Sequence, residues 1–189
     1  RISSDYGNAL TLERRYGVSL RPLAEFCEKV YGGSDKKTVH QALSVLGFKL
    51  EGHIILRHPG YEMNDRLMLY RINYEDWTVE LDSGVYPLNT HDFPTVDPAD
   101  PYALTEEESQ VIDQLTASFR RSEKLQKHIR FLYSKGSLYK VFNGNLLLHG
   151  CIPMTEQGAQ MEFSIGCEAL SGKAFLDYAD LTARRAYYS

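Results

Sequence analysis

Apolar residues recur at helical spacing through the first third of the chain. Leu20, Leu23, Cys27 and Val30 share one face, and Gly32-Gly33 stops the segment. Ser34 or Asp35 can cap a second helix whose apolar stripe reads Val39, Leu43, Leu46, Leu50 and Ile54. Gly47 and Gly52 weaken that helix, and Pro59 ends it. The period then changes. Trp77, Val79 and Leu81 alternate, Asp82-Ser83-Gly84 turns, and Val85 to Leu88 returns, which predicts a hairpin over 77–88. Residues 89–104 carry Pro94, Pro98 and Pro101 among aspartates and read as an extended linker over the surface.

Two helices follow. Thr105-Glu106-Glu107-Glu108 has the form of a capping box, with Ile112, Leu115 and Phe119 as the buried face behind it. Ser122 can cap the next helix, with Leu125, Ile129 and Leu132 inside and Gly136 at its end. Leu138 to Phe142 reads as a strand. Asn143-Gly144 is the signature of a type I′ turn, and Leu146 to Leu148 is the returning strand. That strand is apolar without alternation, so burial on both faces is expected. Met161 to Ile165 can form a further strand, and Lys173 to Tyr188 a closing helix. The pattern places the chain in the α+β class.

Charge and cysteine content narrow the function. Lys+Arg of 21 against Asp+Glu of 25 gives a net charge of −4, which leaves no basic excess for a phosphate backbone, so no nucleic-acid partner is expected. No apolar run approaches the roughly 20 residues of a membrane span, so no membrane partner is expected either. Cys27, Cys151 and Cys167 are odd in number and lack metal-ligand spacing, as in a reduced, cytoplasmic protein. The chain starts at Arg1 without a charged-then-apolar signal segment, as a piece of a longer protein would.

Few residues carry a chemical signal. His149 follows three leucines and precedes Gly150. A neutral imidazole at a strand end, beside a glycine that permits close approach, is a good metal ligand. The competing reading is a histidine satisfied by a backbone carbonyl. Arg130, Lys135 and Ser137 flank a helix-to-strand turn and could hold a phosphate, or the two cations could complement the helix C-terminus. Glu106, Glu107 and Glu108 are accounted for by helix-start electrostatics. Glu62, Asp65 and Arg66 suggest a salt-bridged brace. Cys151 reads as a small buried residue rather than a nucleophile, and His40, His53, His58, His91 and His128 as structural or solvated.

The stretch SFRRSEKLQKHIRFLYSKGSLYKVFNGNLLLHGCIPM (Ser118 to Met154) resembles the class III fructose-1,6-bisphosphatases of bacteria. So, in order, do FKLEG (Phe48 to Gly52), YEMNDRLML (Tyr61 to Leu69), YPLNTHDFPTVDPADPYALTEEE (Tyr86 to Glu108) and SGKAFLDY (Ser171 to Tyr178). The resemblance implies a calcineurin-like metallophosphoesterase sandwich that hydrolyses fructose 1,6-bisphosphate to fructose 6-phosphate and phosphate, in gluconeogenesis. It implies a divalent metal pair, manganese by the usual assignment, that activates water. His149 matches the histidine that ligates metal in related enzymes.

The family's early motifs, Asp-x-His-Gly, Gly-Asp-x-x-Asp-Arg-Gly and Gly-Asn-His-Asp, do not occur in this sequence, nor does the later Gly-His-Thr. The chain is therefore expected to be a middle fragment, inactive alone. Residues 1–128 would be a mainly helical insertion and 129–189 a piece of the phosphoesterase core, packed as one compact unit. A homo-oligomer is expected, and the isolated chain should self-associate through surfaces left bare. The alternative function is a non-catalytic assembly or effector-binding module.

Overall fold

A computed structural model describes residues 10–189. Residues 10–16 form a helix, α1. It is followed by α2 (Arg21–Tyr31), α3 (Lys36–Arg57), short 3-10 turns, β1 (Ile72–Asn73), β2 (Thr78–Leu81) and β3 (Gly84–Pro87). Then come α4 (Glu106–Arg121), α5 (Glu123–Lys135), β4 (Tyr139–Phe142), β5 (Asn145–Leu148), β6 (Glu162–Ile165), β7 (Glu168–Ser171) and α6 (Gly172–Tyr188). The class is α+β, with all strand pairs antiparallel. The chain forms two compact units that part between Glu123 and Lys124, which replaces the expectation of a single one.

In the first unit, the helix boundaries follow their chemistry. Gly32 ends α2 at φ 72°, a left-handed conformation that costs glycine nothing. Asp35 is the cap of α3, its carboxylate accepting from the backbone N–H of Lys37 and Thr38. The capping box of α4 is complete: Glu108 N–H donates to Thr105 Oγ1 at 3.2 Å, and Thr105 N–H to Glu108 Oε2 at 2.9 Å. One core cluster packs Leu23, Phe26 and Cys27 of α2 against Val39, Ala42 and Leu46 of α3 and Val111 of α4. A second joins Ile55 to Leu67, Leu69 and Tyr102. The predicted hairpin forms as β2–β3, and β1 adds a third strand at its edge.

Three expectations are corrected. Leu50 and Ile54 are exposed, and the buried face of α3 continues instead through Val45, Lys49, Gly52 and Ile55. Lys49 explains the error, because a lysine in the stripe shifts an apolar count onto the wrong face. Its side chain is wholly buried; Nζ donates to Glu108 Oε2 at 2.7 Å and to Thr95 O at 2.6 Å. Gly52 is a packing residue rather than a weak point: a Cβ there would lie 2.1 Å from the Tyr102 ring. The 89–104 segment is not a surface linker, since Thr95, Pro101 and Tyr102 are buried. Tyr102 Oη accepts the Leu69 N–H at 3.0 Å, and its carbonyl lies 2.8 Å from His53 Nε2.

The second unit is built on α6. Phe175 stacks on Phe163 of β6 at 4.1 Å, Tyr187 on Tyr133 of α5 at 4.0 Å, and Asp177 accepts from Tyr139 Oη of β4 at 2.8 Å. Its buried residues are few. Leu132, Val141, Phe142, Leu146 and Leu147 are each half exposed or more, so Leu146 and Leu147 of β5 are bare rather than buried on both faces, and Leu148 is half-buried.

Lys49→Ala leaves the Glu108 carboxylate buried without its cation and is expected to destabilise the first unit by about 3–5 kcal/mol. Lys49→Met combined with Glu108→Gln removes both charges, retains a capping group and should recover most of that loss. Urea unfolding of the three proteins checks this.

Candidate functional site

The hairpin that carries His149 is positioned by its turn and by α6. Asn143 at φ 48° and Gly144 at φ 74° make the type I′ turn whose twist matches the strands, and register follows: Tyr139 faces Leu148 and Phe142 faces Asn145. Gly136 ends α5 in a tight approach, where a Cβ would meet the Leu132 carbonyl at 2.5 Å. Arg184 of α6 donates to the carbonyls of Tyr133 and Gly136, so its guanidinium satisfies the exposed end of α5. Asp180 holds that guanidinium at 2.6 Å. Lys173 and Tyr139 both bond Asp177 and hold its carboxyl below the usual carboxylate range. The turn after α5 and the start of β4 are thereby fixed to α6.

His149 lies one residue beyond β5 and is exposed. Arg130 and Lys135 lie on the last turns of α5 and are exposed as well. Five residues apart on a helix, they point about 140° from each other, so they do not present one face to one ligand. A cavity of about 430 Å³ lies beside them in sequence, lined by Ser137, Tyr139 and Lys140 of the hairpin side and Lys173, Asp177 and Arg184 of α6. It contains none of the three predicted site residues. Among the described residues no group of three or more His, Cys, Asp or Glu could hold a metal ion. His149 is thus a single donor here, and the described residues do not make a metal cage.

The other candidates resolve simply. Arg66 does brace the chain, but to Glu51 of α3 at 2.7 Å rather than to Glu62 or Asp65. Cys151 is exposed, against the expected burial, because it lies in the open stretch after β5, while Cys27 is buried and its thiol is pushed up to about 11, chiefly by burial. His91 stacks on Trp77 at 4.9 Å and His58 on Tyr61 at 4.9 Å. Sequence reasoning missed the role of Glu108, which does more than stabilise a helix start. It also missed a half-open, largely apolar cavity of about 720 Å³ between α3 and residues 89–93, walled by Val45, Phe48 and Phe93. Gln41 ties that wall to the helix through the Asp92 carbonyl and Thr90 Oγ1. The spacing of His40, Gln41, Ser44 and Phe48 on one face was the available signal.

The sequence is matched over residues 1–189 by the family described as Firmicute fructose-1,6-bisphosphatase. The chain belongs to that family. It is 47% identical to a fructose-1,6-bisphosphatase class 3 of Clostridium novyi over 208 aligned positions, covering 100% of this chain and 31% of the relative. A protein of the same name from Clostridium acetobutylicum is 44% identical with the same coverage, and one from Listeria innocua 42%, covering 99% of this chain and 32% of the relative. The chain spans about a third of the length of the curated relatives it matches. No solved structure matches it. Among the described residues no helix is long and apolar enough to cross a membrane.

Arg184→Met removes the group that satisfies the end of α5. Amide exchange in the last turn of α5 is expected to rise by roughly tenfold, the size of one lost hydrogen bond. Exchange in α2, α3 and α4 should be unchanged, which hydrogen-exchange mass spectrometry reads peptide by peptide.

Proposed function

We propose that this chain is one part of a fructose-1,6-bisphosphatase that hydrolyses fructose 1,6-bisphosphate to fructose 6-phosphate and phosphate. The observation that carries the reading is the match along the whole chain to proteins of that name at 42–47% identity. Residues 1–128 serve as the mainly helical insertion and 129–189 as a piece of a metallophosphoesterase-like sandwich, in a cytoplasmic homo-oligomer.

In the complete enzyme a divalent metal pair, manganese in this reading, supplies Lewis acidity and an activated water. This chain's share is one donor. The Asn143-Gly144 turn fixes the β4–β5 register, and the strand end then presents the His149 imidazole beside Gly150, where a second group can approach closely. Arg130 and Lys135 supply positive charge near the same turn. Their divergent directions assign them to long-range attraction of an anionic substrate rather than to a shared phosphate clamp. The described residues do not by themselves form a metal cage.

A second reading concerns the first unit, which carries the 720 Å³ cavity and none of the predicted site residues. Such a unit fits an assembly or effector-binding role within the same enzyme. Loss of regulation or assembly, with retained turnover, on altering Phe48 and Phe93 would favour it.

The 189-residue chain alone is expected to release no phosphate from fructose 1,6-bisphosphate with manganese present. Turnover near that of the full-length protein would contradict the reading. In the full-length protein, His149→Ala should lower bound manganese and reduce turnover by more than the roughly 10–100-fold that follows loss of an outer-shell partner. Metal analysis alongside a phosphate-release assay checks both effects.

A further inference from the structure

The cavity between α3 and residues 89–93 has no part in phosphate chemistry. At about 720 Å³ it has the volume of a small-molecule site. Contacts on both sides hold its shape. Gln41 donates to the Asp92 carbonyl and accepts from Thr90 Oγ1, which ties residues 90–92 to the helix. The Phe93 ring lies nearly parallel to Trp77 at 6.0 Å and packs edge-to-face with Tyr74 at 6.4 Å. Trp77 in turn stacks on His91 at 4.9 Å. The aromatic wall is therefore braced by its own neighbours.

The lining is charged at one end and apolar at the other. Asp35, Lys36 and Lys37 lie at the start of α3. Val45 and Phe48 lie further along the same helix, about 12–16 Å from Lys37 at 1.5 Å per residue. The polar side chains between them are already engaged: Ser44 Oγ donates to the His40 carbonyl at 2.9 Å, and the Gln41 amide holds residues 90 and 92. Asp35 spends its carboxylate on the backbone N–H of Lys37 and Thr38 and on the Thr38 hydroxyl. Lys37 is exposed and forms no ion pair among the described residues. Two lysines against one aspartate leave a single positive charge in excess.

These features select a ligand class. A sugar phosphate is polar along its whole length and would lose its hydration without gaining partners at Val45, Phe48 and Phe93. A dianion exceeds the local charge. A flat apolar body with one acidic group at its end matches both the walls and the rim. We propose that this cavity binds an aromatic monocarboxylate, its acid group beside Lys37 and its ring body against Phe48 and Phe93. The proposal rests on the effector-binding reading of the first unit and gives that reading its ligand chemistry.

Isothermal titration of the full-length protein with 2-naphthoate and with its uncharged counterpart, 2-naphthamide, tests this. One 2-naphthoate is expected to bind per chain, more tightly than the amide. Lys37→Glu should weaken 2-naphthoate by about tenfold, the scale of losing one exposed charge attraction and gaining one repulsion, and leave 2-naphthamide unchanged. An acidic residue in the first turn of α3 suits the helix dipole, so this variant keeps the fold. Ser44→Trp fills the cavity and should abolish binding of both. Absence of 2-naphthoate binding would overturn the proposal, as would equal affinity for acid and amide, or binding that a folded Ser44→Trp protein retains. Should Ser44→Trp fail to fold, the acid–amide contrast and Lys37→Glu still decide. If 2-naphthoate does not bind while changes at Phe48 and Phe93 still alter assembly or regulation, the ligand assignment falls and the broader reading of the first unit stands.

Discussion

The first unit depends on the ammonium of Lys49. Its side chain passes through the core from α3 and ends between the Glu108 carboxylate and the Thr95 carbonyl. A lysine with no exposed surface is tolerated only where its charge is paired and its hydrogens are used. That demand fixes three separate pieces of chain. It sets the rotation of α3, places the first turn of α4, and draws Thr95 into the interior. The second core cluster lies further along the same face of α3. There Gly52 lets the Tyr102 ring lie against the helix, and Tyr102 binds the Leu69 backbone in turn. A largely exposed segment rich in proline and aspartate is thus anchored at two points, by one cation at Thr95 and by the aromatic ring of Tyr102.

The second unit is organised differently. Its order comes from α6 rather than from a buried cluster. Stacked pairs at Phe163–Phe175 and Tyr133–Tyr187, the Tyr139–Asp177 bond and Arg184 on the end of α5 hold the hairpins to one helix. Its leucine-rich strand remains open on the surface. The relatives are about three times longer, and an apolar strand without alternation is a strand meant for cover on both faces. The contrast between a unit with a core and a unit with few buried residues is what supports the proposed place of this chain in a longer protein.

Much of this was legible in the sequence, for reasons that differ by element. The capping box at Thr105, the Asn143-Gly144 turn and the stop at Gly32 are local devices, and all three formed as read. The phase of α3 was misread because its buried stripe contains a lysine whose partner lies 59 residues away. The packing of the 89–104 segment was misread because composition marks it as loop while Tyr102 and Thr95 act through distant contacts. His149 was legible as a candidate from its local pattern, and it lies exposed one residue beyond β5. Further metal ligands could not be proposed from a sequence that lacks the family's other motifs.

The proposal that this chain is one part of a longer phosphatase requires cover for the bare β4–β5 hairpin. Native-state hydrogen exchange, compared between the 189-residue chain and the full-length protein, tests it most directly. The account predicts equal protection of α2, α3 and α4 in both. It predicts that amides of β4 and β5 exchange rapidly in the chain alone and become strongly protected in the full-length protein. Equal protection of the β4–β5 hairpin in the two proteins would contradict it.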